Sequence, residues 1–169
     1  MRPTILDPLF APVTSLEGVG SKISLLLANV VPTDLSGRPV RVGDLIFTLP
    51  HSLIDRSNRP EIAYAPQGAI VTLQVTISRH EAPPRGNRKV PYRVYGFDDT
   101  GEIALTFFHA QTAYLERQLP VGAEVLVSGK MDWFNGRASM VHPDHMVPVA
   151  EADNLPPFEP VYPLTAGLS

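Results

Sequence analysis

At 169 residues the chain has room for one or two small domains, and its 44% hydrophobic content excludes wholesale disorder. A net charge of −3 excludes a globally basic nucleic-acid binder, so any attraction to phosphate must come from a local cluster. The absence of cysteine excludes disulfides, cysteine-ligated zinc and thiol catalysis, and fits a reducing compartment. The longest apolar stretch, Ile23–Val31, is about half of a bilayer span. No charged segment followed by an apolar core opens the chain, so the expectation is a soluble cytoplasmic protein without a membrane partner.

Residues 1–57 read as a small helical segment. Leu16-Glu17-Gly18-Val19-Gly20-Ser21-Lys22 leads into the helical run Ile23–Val30. Glycines at such a turn can expose backbone N–H groups at a helix start, and Lys22 lies nearby, as in the phosphate cradle of a helix-hairpin-helix. The same glycines can equally serve only to bring two helices together. Gly43–Leu49 forms another short helix. Pro60 and Pro66 then break the chain, so residues 58–67 read as a linker.

Residues 68–149 read as the main domain. In Gly68–Ser78, Val71, Leu73, Val75 and Ile77 alternate with Thr72, Gln74, Thr76 and Ser78, which predicts a strand with one buried and one wetter face. A second strand is expected over Val90–Phe97. After the turn Asp98-Asp99-Thr100-Gly101 comes a third, Glu102–His109, with Ile103, Leu105 and Phe107 on one face. Gln111–Leu119 reads as a short helix stopped by Pro120 and Gly122. Glu124–Lys130 and Arg137–His142 complete five strands, joined through Trp133-Phe134-Asn135-Gly136, where Asn-Gly is a hairpin signal. Three strands, a helix and two strands predict a mainly β fold, a five-stranded Greek-key barrel of the OB type, which binds oligonucleotides or oligosaccharides. Residues 150–169, with Pro156, Pro157, Pro160 and Pro163, read as an extended connector, and the uncapped end at Ser169 as the point where a longer protein continues.

The connection between the first two expected strands, 80–89, holds Arg85, Arg88 and Lys89, and Arg79 and Arg93 flank it. It is the strongly basic stretch of an acidic chain, in a loop that such barrels use on a nucleic-acid backbone, so phosphate contact is set against a merely solvated loop. Phe107 and Phe108 are adjacent, so a strand points them to opposite faces, Phe107 inward and Phe108 outward. An outward ring there can stack on a base. Tyr114, Trp133 and Phe134 are the other stacking candidates, each weighed against packing within the fold. His142, Asp144 and His145 could bind a metal or serve a small hydrolase, but Pro143 prevents a helix that would present them on one face, and no metal site is expected. No Gly-x-x-x-x-Gly-Lys-Ser/Thr loop occurs, so neither catalysis nor a nucleotide cofactor is expected within these residues.

Several segments together resemble a known family. Leu-Glu-Gly-Val-Gly-Ser-Lys at 16–22, Leu-Pro-His-Ser-Leu-Ile-Asp-Arg-Ser at 49–57, Thr-Phe-Phe-His at 106–109, Met-Val-His-Pro-Asp at 140–144 and Pro-Val-Tyr-Pro-Leu-Thr-Ala-Gly-Leu-Ser at 160–169 are similar, in the same order, to the N-terminal region of the bacterial branched-DNA helicase RecG. The resemblance implies a wedge domain that splits strands at replication forks and Holliday junctions in DNA repair and recombination. It implies motor domains beyond Ser169, with ATP and Mg required only there, and a monomer. It places the stacking aromatics at Phe108 and, more loosely, Tyr114. This chain has His109 where the family commonly has Asn. The rival reading is an OB-type protein-docking module that does not touch nucleic acid.

Overall fold

The computed structural model describes residues 3–32, 37–84 and 90–168. They form two compact units, Met1–Leu53 with Pro160–Ser169, and Ile54–Glu159. The chain passes between them within a two-stranded ribbon, β1 (Ser52–Asp55) paired with β8 (Phe158–Val161).

The first unit holds short helices: α1 (Asp7–Phe10), a 3-10 turn at Val13–Ser15, α2 (Ser21–Leu27) and α3 (Val42–Ile46). Its small core is Val13, Leu27, Val31 and Val40, with Val19, Ile23 and Leu168 against it. The helix expected over 43–49 stops at Ile46, consistent with Pro50 disfavouring helical backbone at Leu49. Asp44 pins the start of α3. It accepts the Arg41 N–H at 2.9 Å and the Arg38 guanidinium, whose hydrogen bonds are the main cause holding its carboxyl at about 2.

The second unit is the barrel. Its strands are β2 (Ile70–Glu81), β3 (Tyr92–Phe97), β4 (Glu102–Phe107), β5 (Glu124–Phe134) and β6 (Arg137–Val141), with α4 (Thr112–Gln118) between β4 and β5. The order β2-β3-β4-β6-β5 closes through β2–β5, and β4–β6 is the parallel pair. This is the expected five-stranded Greek-key topology. A further strand, β7 (His145–Pro148), adds to β5. The inward residues of β2 are those the alternation named: Val71, Leu73, Val75 and Ile77, packed with Ile103, Leu105, Phe107, Met131 and Met140. Leu115 of α4 joins them. Within β5, Glu124–Lys130 pairs with β2 and Met131–Phe134 with β6. Gly129 sits at this change of partner, where a Cβ would lie 2.9 Å from Met140 Sδ and 3.2 Å from Pro143 Cα.

Some expectations change. Thr72, expected on the wetter face, is fully buried and donates to Ser128 Oγ at 2.9 Å. Leu126 is buried on β5, and β7 borders it there. The 58–67 stretch, read as a linker, gives Ile62 and Ala65 to the barrel core. β4 ends at Phe107 and not at His109, because His109 has φ 57 and turns the chain away.

Candidate nucleic-acid interface

The end of β4 sets two rings in opposite directions. Phe107 is buried, while Phe108 is 44% exposed. Phe108 already lies in the turn that follows the strand, and its N–H donates to His142 Nε2 at 3.1 Å. His142 follows β6 and is itself held by its N–H, which donates to the Thr106 carbonyl at 2.9 Å. The imidazole lies 5.8 Å from the Phe108 ring and edge-on to Phe107 at 6.1 Å. Tyr114, on α4, is 45% exposed, and Phe108, Tyr114, His142, Pro143 and Met146 line one open hollow of about 260 Å³. Two of the sequence-derived stacking candidates, Phe108 and Tyr114, therefore meet at one rim of the barrel. Flat rings on an open concave rim suit a nucleobase face.

The other two do not line this hollow. Because β5 runs to Phe134, Trp133 lies in a strand and not at the hairpin tip. Its ring packs against the barrel core and its indole N–H donates to the Ala65 carbonyl at 3.0 Å. Trp133 is thereby corrected from an exposed stacking ring to a packing residue. Phe134 is 72% exposed, immediately before the tip.

The basic candidates divide. Arg79 lies 3.7 Å over the Tyr95 ring and makes two hydrogen bonds to Glu102, which hold the Glu102 carboxyl below its usual range. Arg93 faces Glu81 at 3.5 Å, and Tyr95 O–H donates to Glu81 at 2.8 Å. Both cations expected on phosphate already have carboxylate partners. The residues Arg85, Arg88 and Lys89 lie outside the described residues. Lys22 is exposed in α2 of the first unit, whereas the aromatic rim belongs to the second.

The ATP-dependent DNA helicase RecG of Aquifex aeolicus is 28% identical over 158 residues, covering 93% of this chain and 18% of that protein. RecG of Haemophilus influenzae is 28% identical over 180 residues, covering 99% of this chain and 23% of that protein. The chain is RecG-like. It spans about a fifth of the length of these curated relatives. A solved structure of RecG bound to a three-way DNA junction matches its fold with a TM-score of 0.64 at 21% identity, over 95% of this chain and 21% of that one. No family model matches.

In this RecG-like barrel His142, Asp144 and His145 make separate contacts. His142 Nε2 accepts the Phe108 amide, Asp144 lies 3.4 Å from Arg56, and His145 lies 3.5 Å from Glu159. No group of three or more metal-ligating side chains occurs among the described residues. Two connections escaped the sequence reading. The first is His142 with Phe108, whose only trace was a histidine at a strand end. The second is Arg56, 2% exposed, which donates to Ser128 Oγ at 2.7 Å and to Glu159 at 2.6 Å. Nothing in Ile54-Asp55-Arg56-Ser57 distinguishes a buried arginine from a surface one.

Proposed function

We propose that this chain is the branched-DNA-binding wedge module of a RecG-type ATP-dependent helicase that acts on replication forks and Holliday junctions in DNA repair and recombination. The observation that carries this is Phe108, exposed on the barrel rim beside Tyr114 in a chain similar to RecG along 93% of its length. Phe108 caps the last base pair and blocks passage of intact duplex. Arg85, Arg88 and Lys89 hold the backbone. The module is a cytoplasmic monomer that performs no chemistry. Net unwinding belongs to motor domains elsewhere in the longer protein, which bind ATP and Mg. Opening a terminal pair costs a few kcal/mol, so passive binding favours junctions that are already open.

The test titrates fork, duplex and single-stranded DNA against the native chain and Phe108→Ala at two salt concentrations. The fork binds tightest. Phe108→Ala lowers fork affinity about tenfold, the loss of one base-stacking contact, and changes duplex affinity little. Equal affinity for all three DNAs, unaffected by the substitution, rejects the proposal.

The pairing of Arg79 with Glu102 and Arg93 with Glu81 favours a second reading, in which this sheet face docks protein and not phosphate. Salt dependence separates the two. Phosphate contacts release counterions and give affinity a steep slope on salt, whereas a protein-docking face leaves only weak, salt-insensitive DNA binding.

A further inference from the structure

Phe108 has left the β4 ladder, so its backbone is not fixed by a strand partner. What holds its N–H is a side chain, His142 Nε2. That acceptor role requires an unprotonated Nε2, which puts the proton of the neutral ring on Nδ1. It also occupies the lone pair a metal would need. The turn around this contact is strained on both sides. Among the described residues, three that are not glycine have positive φ: His109 at 57, Asn135 at 50 and His142 at 46. Asn135 sits in an Asn-Gly hairpin, where such backbone is ordinary. One of the histidines follows Phe108 and the other is its partner, and left-handed backbone at such residues persists only where its surroundings enforce it. Here the enforcement is two bonds, Phe108 N–H to His142 Nε2 and His142 N–H to the Thr106 carbonyl, plus two ring contacts at 5.8 and 6.1 Å, both in the range of favourable aromatic pairs.

We infer that His142 is a positioning residue for Phe108: it fixes the Phe108 turn through Nε2 and sets a second ring beside it, so that the two rings together meet the terminal base pair of a fork. This rests on the branched-DNA reading above and adds the residue through which Phe108 acts. Without His142, Phe108 remains present but its backbone loses its anchor and its ring loses its neighbour.

The experiment is a double-mutant cycle on the whole chain with Phe108→Ala, His142→Gly and the pair. Glycine adopts the His142 backbone without strain. Binding is followed on a fork carrying 2-aminopurine at the branch point, whose fluorescence reports stacking. Exchange of the Phe108 amide is followed by NMR without DNA. His142→Gly speeds Phe108 amide exchange about tenfold or more and lowers fork affinity about fivefold, while in the Phe108→Ala background it lowers affinity less than about twofold, the non-additivity expected of residues in contact. Should the glycine variant melt early, His142→Asn, which also suits left-handed backbone, is read by the same cycle.

An equal loss in both backgrounds means that His142 does not act through Phe108. So does no loss from His142→Gly where Phe108→Ala is impaired. Either result overturns the inference and leaves the DNA reading standing. If Phe108→Ala itself leaves fork binding and fluorescence unchanged, this inference falls, and if fork, duplex and single-stranded DNA also bind equally, the branched-DNA reading falls with it.

Discussion

Arg56 is the one buried charged side chain among the described residues, and its partners are unequal. Ser128 Oγ is buried with it, whereas Glu159 and Asp144 are partly open to water. Removing Glu159 strands a buried cation with Asp144 at 3.4 Å as its remaining carboxylate. Removing Arg56 strands only carboxylates that water can reach, and Ser128 Oγ keeps its bonds to Thr72 and the Val71 carbonyl. Glu159→Ala should therefore destabilise the barrel by about 3 kcal/mol, and Arg56→Met, an apolar replacement of similar length, by only about 1 kcal/mol. Urea unfolding at pH 7 measures both, and the reverse order contradicts the argument. The arginine hydrogen bond, foremost, holds the Glu159 carboxyl below its usual range. Its contribution is thus present above the unfolded carboxylate value of about 4.3 and is lost as pH falls through the lower folded value. That Phe107 is buried and Phe108 exposed was legible from the adjacent pair, although Phe108 is exposed from the turn after β4 and not from the strand. Arg56 was not, because its burial is created by strands distant in sequence, and a local pattern carries no record of them.

At the scale of elements, period-two alternation located the strands at 68–78 and 102–109, because a closed barrel has one apolar interior that each strand must face, and turn signals with element order supplied the other three. It missed what covers the outside. Thr72 and Ser128 look like solvent-facing residues until Arg56 and β7 arrive over them. The one available signal was the unbroken Val125-Leu126-Val127, since a strand apolar on both faces is buried on both. The β3–β4 turn shows how an element is tied to its surroundings. Asp98 accepts from the Thr100 N–H and O–H, from the Gly101 N–H, and from the Ile62 N–H at 2.7 Å, so the turn also fastens the Ile62–Tyr64 segment. Burial pushes this carboxyl up, but the hydrogen bonds together outweigh it and the net shift is downward. A depressed folded value means stability that is full above the unfolded value and fades as pH falls through the folded one. Asp98→Ala should cost about 2 kcal/mol at pH 7, and less at an acid pH below the lowered folded value, where the native carboxyl too is neutral. Denaturant titrations at the two pH values read this directly; a cost that does not shrink in acid means the charge is not what the turn uses. In the β5–β6 hairpin, Gly136 has φ 73, so Gly136→Ala should cost about 1 kcal/mol by the same assay.

At the scale of the whole molecule, the chain leaves the first unit after Leu53 and returns to it at Pro160. Proline-rich sequence suggests an extended connector over 150–169, but Val149–Asn154 forms a 3-10 helix and β8 pairs with β1. Pro160 is admissible there because a two-stranded ribbon has only edges, and an edge position can spare an amide donor. Which distant strand an extended segment joins is decided by pairing, and composition is silent on pairing. The consequence is an asymmetry between the two units. Residues 54–159 hold the barrel core, Arg56 and its partners Asp144 and Glu159 in one continuous stretch. Residues 1–53 lack Leu168, which packs against Val13, Leu27, Val31 and Val40. A core of four buried residues among those described has little stability to spare. Expressed alone, 54–159 should give a dispersed amide spectrum, a single cooperative melt and protection of the β2–β5 amides, whereas 1–53 alone should give the narrow spectrum of an unfolded chain. Adding 160–169 to the latter through a flexible Gly/Ser linker should restore dispersion. If 1–53 folds unaided, or if 54–159 does not, the division of the chain into an autonomous barrel and a unit completed by its distant C-terminal residues is wrong.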